Sequence, residues 1–108
     1  MPEQWEVFVD HLKDSAGLLA KEELKRLITD AKGDSSQFIQ KQGMKLERYL
    51  NQLAAAEITK ETFEGYVEDL RALTEMQSLK MRVAAKASAQ RFCKGIEETI
   101  FNGLIELL

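Results

Sequence analysis

Few residues of the types that carry out chemistry occur in this sequence, and none has the spacing of a catalytic motif. His11 is the single histidine and Cys93 the single cysteine among the 108 residues. These counts exclude a metal site built on two histidines, a Cys-x-x-Cys pair and a disulfide within the chain. A cysteine or serine nucleophile would need His11 as its base, and no motif brings His11 close to Cys93 or to a particular serine. We interpret His11 as an exposed or boundary residue.

Paired carboxylates do occur, at Glu61, Glu64 and Glu68, with the spacing of one helix face. Acid–base catalysis of the glycosidase type needs two carboxylates across a cleft with separated pKa values, whereas these line a single face. The six glycines are too far apart for a phosphate-binding loop. We therefore expect no catalytic, metal-binding or cofactor-binding residues, no cofactor and no enzymatic activity.

The composition indicates one folded domain, residues 1–108. Hydrophobic residues make up 44% and charged residues 31% of the chain, which is too apolar for a disordered tail. The net charge of −3 argues against a polycation that coats nucleic acid. The sequence shows neither a secretory signal nor an apolar run of the roughly 18 residues that a membrane span needs. Together with the lone cysteine, this predicts a cytoplasmic protein.

Apolar residues recur with the period of a helix almost throughout, which predicts an all-α fold. We expect an antiparallel bundle of three main helices, spanning about 2–32, 35–55 and 60–107. The first begins at Pro2 and ends at Lys32, with Gly33 supplying a left-handed cap. The other caps and close approaches are expected at the following residues: Asp34 and Thr59 as N-caps, and Gly43 as a point where a neighbouring backbone comes near.

The third predicted helix has two alternative ends. An unbroken apolar stripe favours a continuous helix as far as residue 107, about 70 Å long. Alternatively, Lys94 and Gly95 end it, and Glu97 and Glu98 open a short fourth helix.

A second apolar line on the third helix predicts a neighbour outside the chain. It consists of Met76, Leu79, Val83 and Ala87. A helix that is apolar on two sides packs against neighbours on both, so we expect a homodimer to complete the bundle. A second candidate contact surface lies on the first helix, at Trp5, Phe8 and Leu12.

The charge layout supports the same expectation. One line of the third helix is acidic in its first half and basic in its second: Glu61, Glu64, Glu68 and Glu75, then Arg82 and Lys86. Two antiparallel copies, related by a two-fold axis near residue 78, would set acid against base in both halves, as in a coiled coil with complementary flanks. Because each exposed pair contributes only about 0–1 kcal/mol, the stripe sets orientation more than affinity.

These patterns predict a non-catalytic interaction or scaffold protein that works through helix–helix contacts. The alternative is a carrier that holds an acyl or other apolar ligand between helices, with Met44, Met76 and Met81 as an adaptable lining. Nucleic-acid binding through the basic segment 76–95 ranks below both, because its cations are divided between two sides of the helix and no aromatic residue is interleaved.

Overall fold

The protein is all-helical over the residues that its computed structural model describes, with no strand among them. These are residues 4–12 and 14–108, and the side chains of all but 14–19. The predicted start at Pro2 lies outside them. The elements in chain order are α1 (Gln4–Asp10), α2 (Asp14–Lys32), α3 (Gln37–Ala54), α4 (Lys60–Ser78), α5 (Val83–Ile96), a π-helical segment (Glu97–Leu104) and α6 (Ile105–Leu107).

The prediction of one helix over 2–32 is corrected at the first break in the chain. α1 ends at Asp10, and the amides of His11 and Leu12 bond to carbonyls three residues back. The break lets α1 contact both α2 and α3, so that Trp5 is only 1% exposed. The backbone N–H of Trp5 donates to Asn51 Oδ1 at 3.1 Å. Burial of a large aromatic outweighs the small propensity gain of continuing the helix.

The end of α2 and the start of α3 are set by local hydrogen bonds. α2 ends at Lys32, as predicted, but Gly33 does not take the left-handed conformation, so that part of the prediction is wrong. Ser36, not Asp34, is the N-cap of α3, and its hydroxyl accepts from the amide of Ile39. The Asp34 carboxylate instead accepts from the Ser36 amide at 2.8 Å, which stabilises the turn that precedes α3.

Gly43 confirms the predicted close approach. A Cβ at this position would lie 2.8 Å from the Ala31 Cβ and 3.3 Å from the Lys32 amide nitrogen, both in the last turn of α2. The absence of a side chain therefore brings α2 and α3 together at the end of their hairpin.

The connection from α3 to α4 contains a left-handed residue that the sequence did not signal. Ala56 has φ of 60°, and the amide of Glu57 bonds to the Gln52 carbonyl at 2.9 Å, which closes the helix end. Thr59 is the N-cap of α4, as predicted, and its hydroxyl accepts from the amide of Thr62 at 3.1 Å.

The prediction of one helix over 60–107 is also corrected. α4 ends at Ser78, and α5 begins at Val83 after a four-residue connection. Two buried hydroxyls precede the break, and each donates to a carbonyl of its own helix: Thr74 to Leu70 at 2.8 Å and Ser78 to Glu75 at 2.6 Å. Such back-bonding weakens a helix. The break folds α5 back along α4, where the Cys93 thiol meets the Arg71 carbonyl.

The alternative break at Gly95 does not occur. α5 runs through Gly95 and continues as the π-helical segment, where the Thr99 hydroxyl donates to the Gly95 carbonyl at 2.6 Å. A Cβ on Gly95 would lie 2.5 Å from Leu27 Cδ1, so the missing side chain lets α5 approach α2 closely.

The core is one apolar cluster to which all the main helices contribute. One buried polar contact crosses it, where the Gln42 side-chain amide of α3 donates to the Thr74 hydroxyl of α4 at 3.2 Å. Tyr49 and Tyr66 connect the same two helices with ring centroids 5.1 Å apart. The largest fully buried apolar side chains are Trp5, Leu24, Ile39, Leu46, Leu50, Phe63, Ile96, Ile100 and Leu104.

Candidate interaction surface

Three large apolar side chains stand in solvent where α4 turns into α5. Met76 is 60% exposed, Leu79 75% and Val83 86%. Ala87 follows one turn later and is half-buried. We call these four residues the hairpin patch. They are the second apolar line predicted from the sequence, and the break in the helix has left them together at one end of the α4–α5 hairpin.

The start of α5 lies beyond the reach of the core. Arg82 is its N-cap but makes no side-chain capping bond, and the first buried residue of α5 is Ala89. The residues from Val83 to Ser88 are all exposed or half-buried. Because isolated exposed apolar residues are common, the informative feature is that three of them, each more than half exposed, occur within the short stretch 76–83 around the turn.

The second predicted contact surface is not at the surface of the fold. Trp5 is buried among the chain's own helices, and Phe8 and Leu12 are half-buried and pack against the same core. These three residues therefore hold α1 onto the rest of the protein.

The predicted charge stripe is folded into two parts by the break at residues 79–82. Its acidic residues stay on α4, where Arg71 forms ion pairs with both Glu68 and Glu75. Its basic part, Arg82 and Lys86, lies at the start of α5. The straight antiparallel pairing about residue 78 needs a continuous helix, so the structure corrects that geometry.

The two helices of the hairpin nevertheless differ in net charge: α4 is acidic in spite of Lys60 and Arg71, and α5 is basic. α4 exposes five carboxylates: Glu61, Glu64, Glu68, Asp69 and Glu75. α5 and its cap carry Arg82, Lys86, Arg91 and Lys94, with no acid before its end at Ile96. Among the described residues, no ion pair joins a carboxylate of α4 to a cation of α5. Within the chain, Glu68 and Glu75 pair with Arg71, and Lys94 pairs with Glu98, so these side chains would exchange exposed, weak ion pairs in order to meet a partner.

The single cysteine and the single histidine lie in different elements, Cys93 in α5 and His11 after α1. The Cys93 thiol is half-buried, and burial raises its pKa above the usual range. Because the thiolate is the nucleophile, this environment disfavours reactivity. His11 is exposed in the connection after α1. No group of three or more potential metal ligands is found within residues 4–12 and 14–108.

A groove of about 510 Å³ lies between the end of α2 and α5. Leu27, Ala31, Ile39 and Phe92 give it an apolar floor, and Asp30, Asp34 and Arg91 also line it. The methionines expected to line a ligand groove are elsewhere: Met44 and Met76 are exposed, and Met81 packs against the core. Ala31, Ile39 and Phe92 are almost fully buried, so Leu27 supplies most of the apolar surface that the groove exposes.

Comparisons with protein-family models, with curated proteins and with solved structures find no match for this chain. No helix in the described part of the chain combines the length and the apolar character that crossing a bilayer requires.

Proposed function

We propose that this chain is a non-catalytic interaction protein that works through helix–helix contacts made by the exposed side of the α4–α5 hairpin. The observation that carries the proposal is the hairpin patch, where Met76, Leu79 and Val83 lie together in solvent. Fully burying one such side chain is worth about 1.5–3 kcal/mol. A surface that leaves three of them in water gains stability when another helix covers it.

The proposed partner is a second copy of the chain, which makes the protein a homodimer. The hairpin is self-complementary in charge, because α4 is acidic and α5 is basic on the exposed side. The charged helices of two copies can therefore pair with each other, and no third protein is needed. The three large side chains of the patch number six in a dimer. Covering the surface that they now expose would contribute roughly 9 kcal/mol of hydrophobic free energy, before the cost of association is subtracted. We expect a weak dimer whose formation depends on concentration.

The lone cysteine, without a bonding partner in its own chain, fits a reducing compartment, and we propose a cytoplasmic location.

The test is the mass in solution, measured by size exclusion with light scattering over a range of protein concentrations. The variant Leu79→Glu/Val83→Glu is expected to stay monomeric and helical. Both side chains are exposed, and a glutamate at residue 83 lies in the first turn of α5, where the helix dipole favours it.

The matched control is Met44→Glu, which places the same charge at an apolar residue that is 53% exposed on α3, away from the patch. It is expected to dimerise like the unmodified protein. A double variant that dimerises normally, or a control that loses the dimer equally, would refute the placement of the contact.

The carrier hypothesis remains a second proposal because of the groove between α2 and α5. Its apolar floor could hold part of an acyl chain, while Arg91 lies beside it to pair with an acidic head group. Native mass spectrometry of the purified protein should then show bound lipid, and Arg91→Glu, at an exposed residue of the same groove, should weaken the binding of an acidic lipid. Protein that carries no lipid and takes up no fatty acid on incubation would exclude this proposal.

A further inference from the structure

The α4–α5 hairpin can meet a second copy face to face in two symmetric ways. A two-fold axis parallel to the hairpin places α4 over α5 of the partner and keeps both connections, residues 79–82, at the same end. A two-fold axis lying across the hairpin places α4 over α4 and sends the connections to opposite ends. Both are closed, isologous arrangements, so symmetry alone does not choose between them.

The charges of the two helices favour the parallel arrangement. In the crossed arrangement the carboxylates of α4 would face their own copies, and the cations of α5 would do the same. Like charges brought together oppose association. In the parallel arrangement every acidic α4 faces a basic α5, in both halves of the interface.

The positions along the hairpin also match. Glu75 lies about five residues before the middle of the connection, and Lys86 lies about five residues after it. Glu68 and Lys94 lie about 12 and 13 residues from the same point. In this count Cys93 and the Arg71 carbonyl, which are in contact, differ by three residues, or about 4.5 Å at a rise of about 1.5 Å per residue, so the count gives height to within about one helical turn. A two-fold axis along the hairpin preserves height, so Glu75 lies within about one turn of Lys86 of the partner subunit, and Glu68 within about one turn of Lys94 of the partner subunit.

We infer that the second copy docks in parallel, with α4 on α5 of the partner subunit, these charge pairs along both flanks, and the two hairpin patches side by side at one end. The inference rests on the proposed function and adds its geometry. α5 is about 21 Å long, so a two-helix face of that length covers roughly 400 Å² in projection on each copy. The two faces together make roughly 800 Å², below the roughly 1,000 Å² expected of a stable interface, so we expect a weak, transient dimer.

Charge reversal tests the pairing. One variant reverses the acidic helix, Glu68→Lys/Glu75→Lys, and another reverses the basic helix, Lys86→Glu/Lys94→Glu. Either variant by itself places like charges opposite each other in both halves of the dimer interface. We expect its dimer dissociation constant to rise about tenfold or more at low salt. An equimolar mixture of the two variants, and the chain that carries all four changes, should regain the affinity of the unmodified protein. The differences should shrink in about 0.5 M salt.

Cysteine cross-linking tests the orientation. In a Cys93→Ser background, Lys80→Cys places one thiol in each connection, and mild oxidation should link the two subunits. Lys60→Cys, at the opposite end of α4, reports linkage through random collision and should give little product.

The outcomes separate the inference from the proposed function. An unmodified protein that stays monomeric at all concentrations refutes both. Two outcomes refute the parallel geometry and leave the proposed function standing. In the first, Leu79→Glu/Val83→Glu disrupts the dimer but charge reversal does not. In the second, the Lys80→Cys subunits of the dimer do not link.

Discussion

The close contact between α2 and α3 at Gly43 allows a direct test of the packing by adding one methyl group. A Cβ at residue 43 would lie 2.8 Å from the Ala31 Cβ, whereas non-bonded carbons rest at about 3.5–4.0 Å. The Lys32 amide nitrogen, at 3.3 Å, restricts escape on the same side. Gly43→Ala therefore forces α2 away from α3 by about 1 Å.

The size of the effect follows from two opposing contributions. Overfilling a packed interior costs about 1–3 kcal/mol. Replacing glycine by alanine within a helix gains about 1 kcal/mol. We expect Gly43→Ala to lower the free energy of unfolding by about 1 kcal/mol, which is the balance of the two.

Gly65 provides the matched control. It also lies inside a helix, but no heavy atom would come within 4 Å of an added Cβ. Gly65→Ala should therefore raise the free energy of unfolding by about 1 kcal/mol from helix propensity alone. The difference between the two variants isolates the packing cost. Urea unfolding followed by helical circular dichroism, in the Leu79→Glu/Val83→Glu background to remove any effect of association, measures both. If Gly43→Ala stabilised the protein as much as Gly65→Ala, the contact between α2 and α3 would be refuted.

Two further predictions concern the end of α3 and the thiol of α5. Ala56 has φ of 60°, a conformation that costs an L-residue about 1–2 kcal/mol. Ala56→Gly should therefore raise the midpoint of urea unfolding. An unchanged or lower midpoint would contradict the left-handed helix end. Burial raises the pKa of Cys93 in the folded state, so alkylation by iodoacetamide should have a higher pH midpoint in the native protein than in urea. The sign for stability follows: the contribution of the protonated thiol is present below the pKa of the unfolded chain and is lost as the pH rises through the raised pKa, so Cys93→Ala should make unfolding less sensitive to alkaline pH.

Features of the fold that depend on neighbouring residues in the sequence could be predicted. The cap at Thr59 and the end of α2 at Lys32 follow from side chains within one turn. The apolar residues of α3 recur with a regular helical period, so its buried face is visible in the sequence. Its buried members Ile39, Leu46, Leu50 and Leu53 all lie in the core.

The breaks at residues 11–12 and 79–82 could not be predicted in this way, because their cause is distant in the sequence. Neither contains a proline or a glycine. The first lets Trp5 reach Asn51, and the second brings Cys93 to Arg71. Local propensity favours a continuous helix at both places, and burial against other helices overrides it. Ala56 shows the same limit at smaller scale, since a left-handed conformation is uncommon for alanine.

The break at residues 79–82 also explains why an exposed apolar patch is left on the fold. The predicted third helix had two apolar lines, and a straight helix would have needed neighbours along both. Folding back brings Phe63 and Val67 of α4 into the same core as Phe92 and Ile96 of α5, so the first line is satisfied within the chain.

The second line is not satisfied by that folding. Met76 and Leu79 lie before and within the connection, and Val83 lies just after it, so the turn gathers them at its end instead of covering them. The same turn sets the acidic row of α4 beside the basic row of α5. A second copy rotated about the hairpin axis covers the apolar end and opposes the two rows of charge in one step. The helix break therefore completes the core of one subunit and, in the same turn, creates the surface through which we expect two subunits to meet.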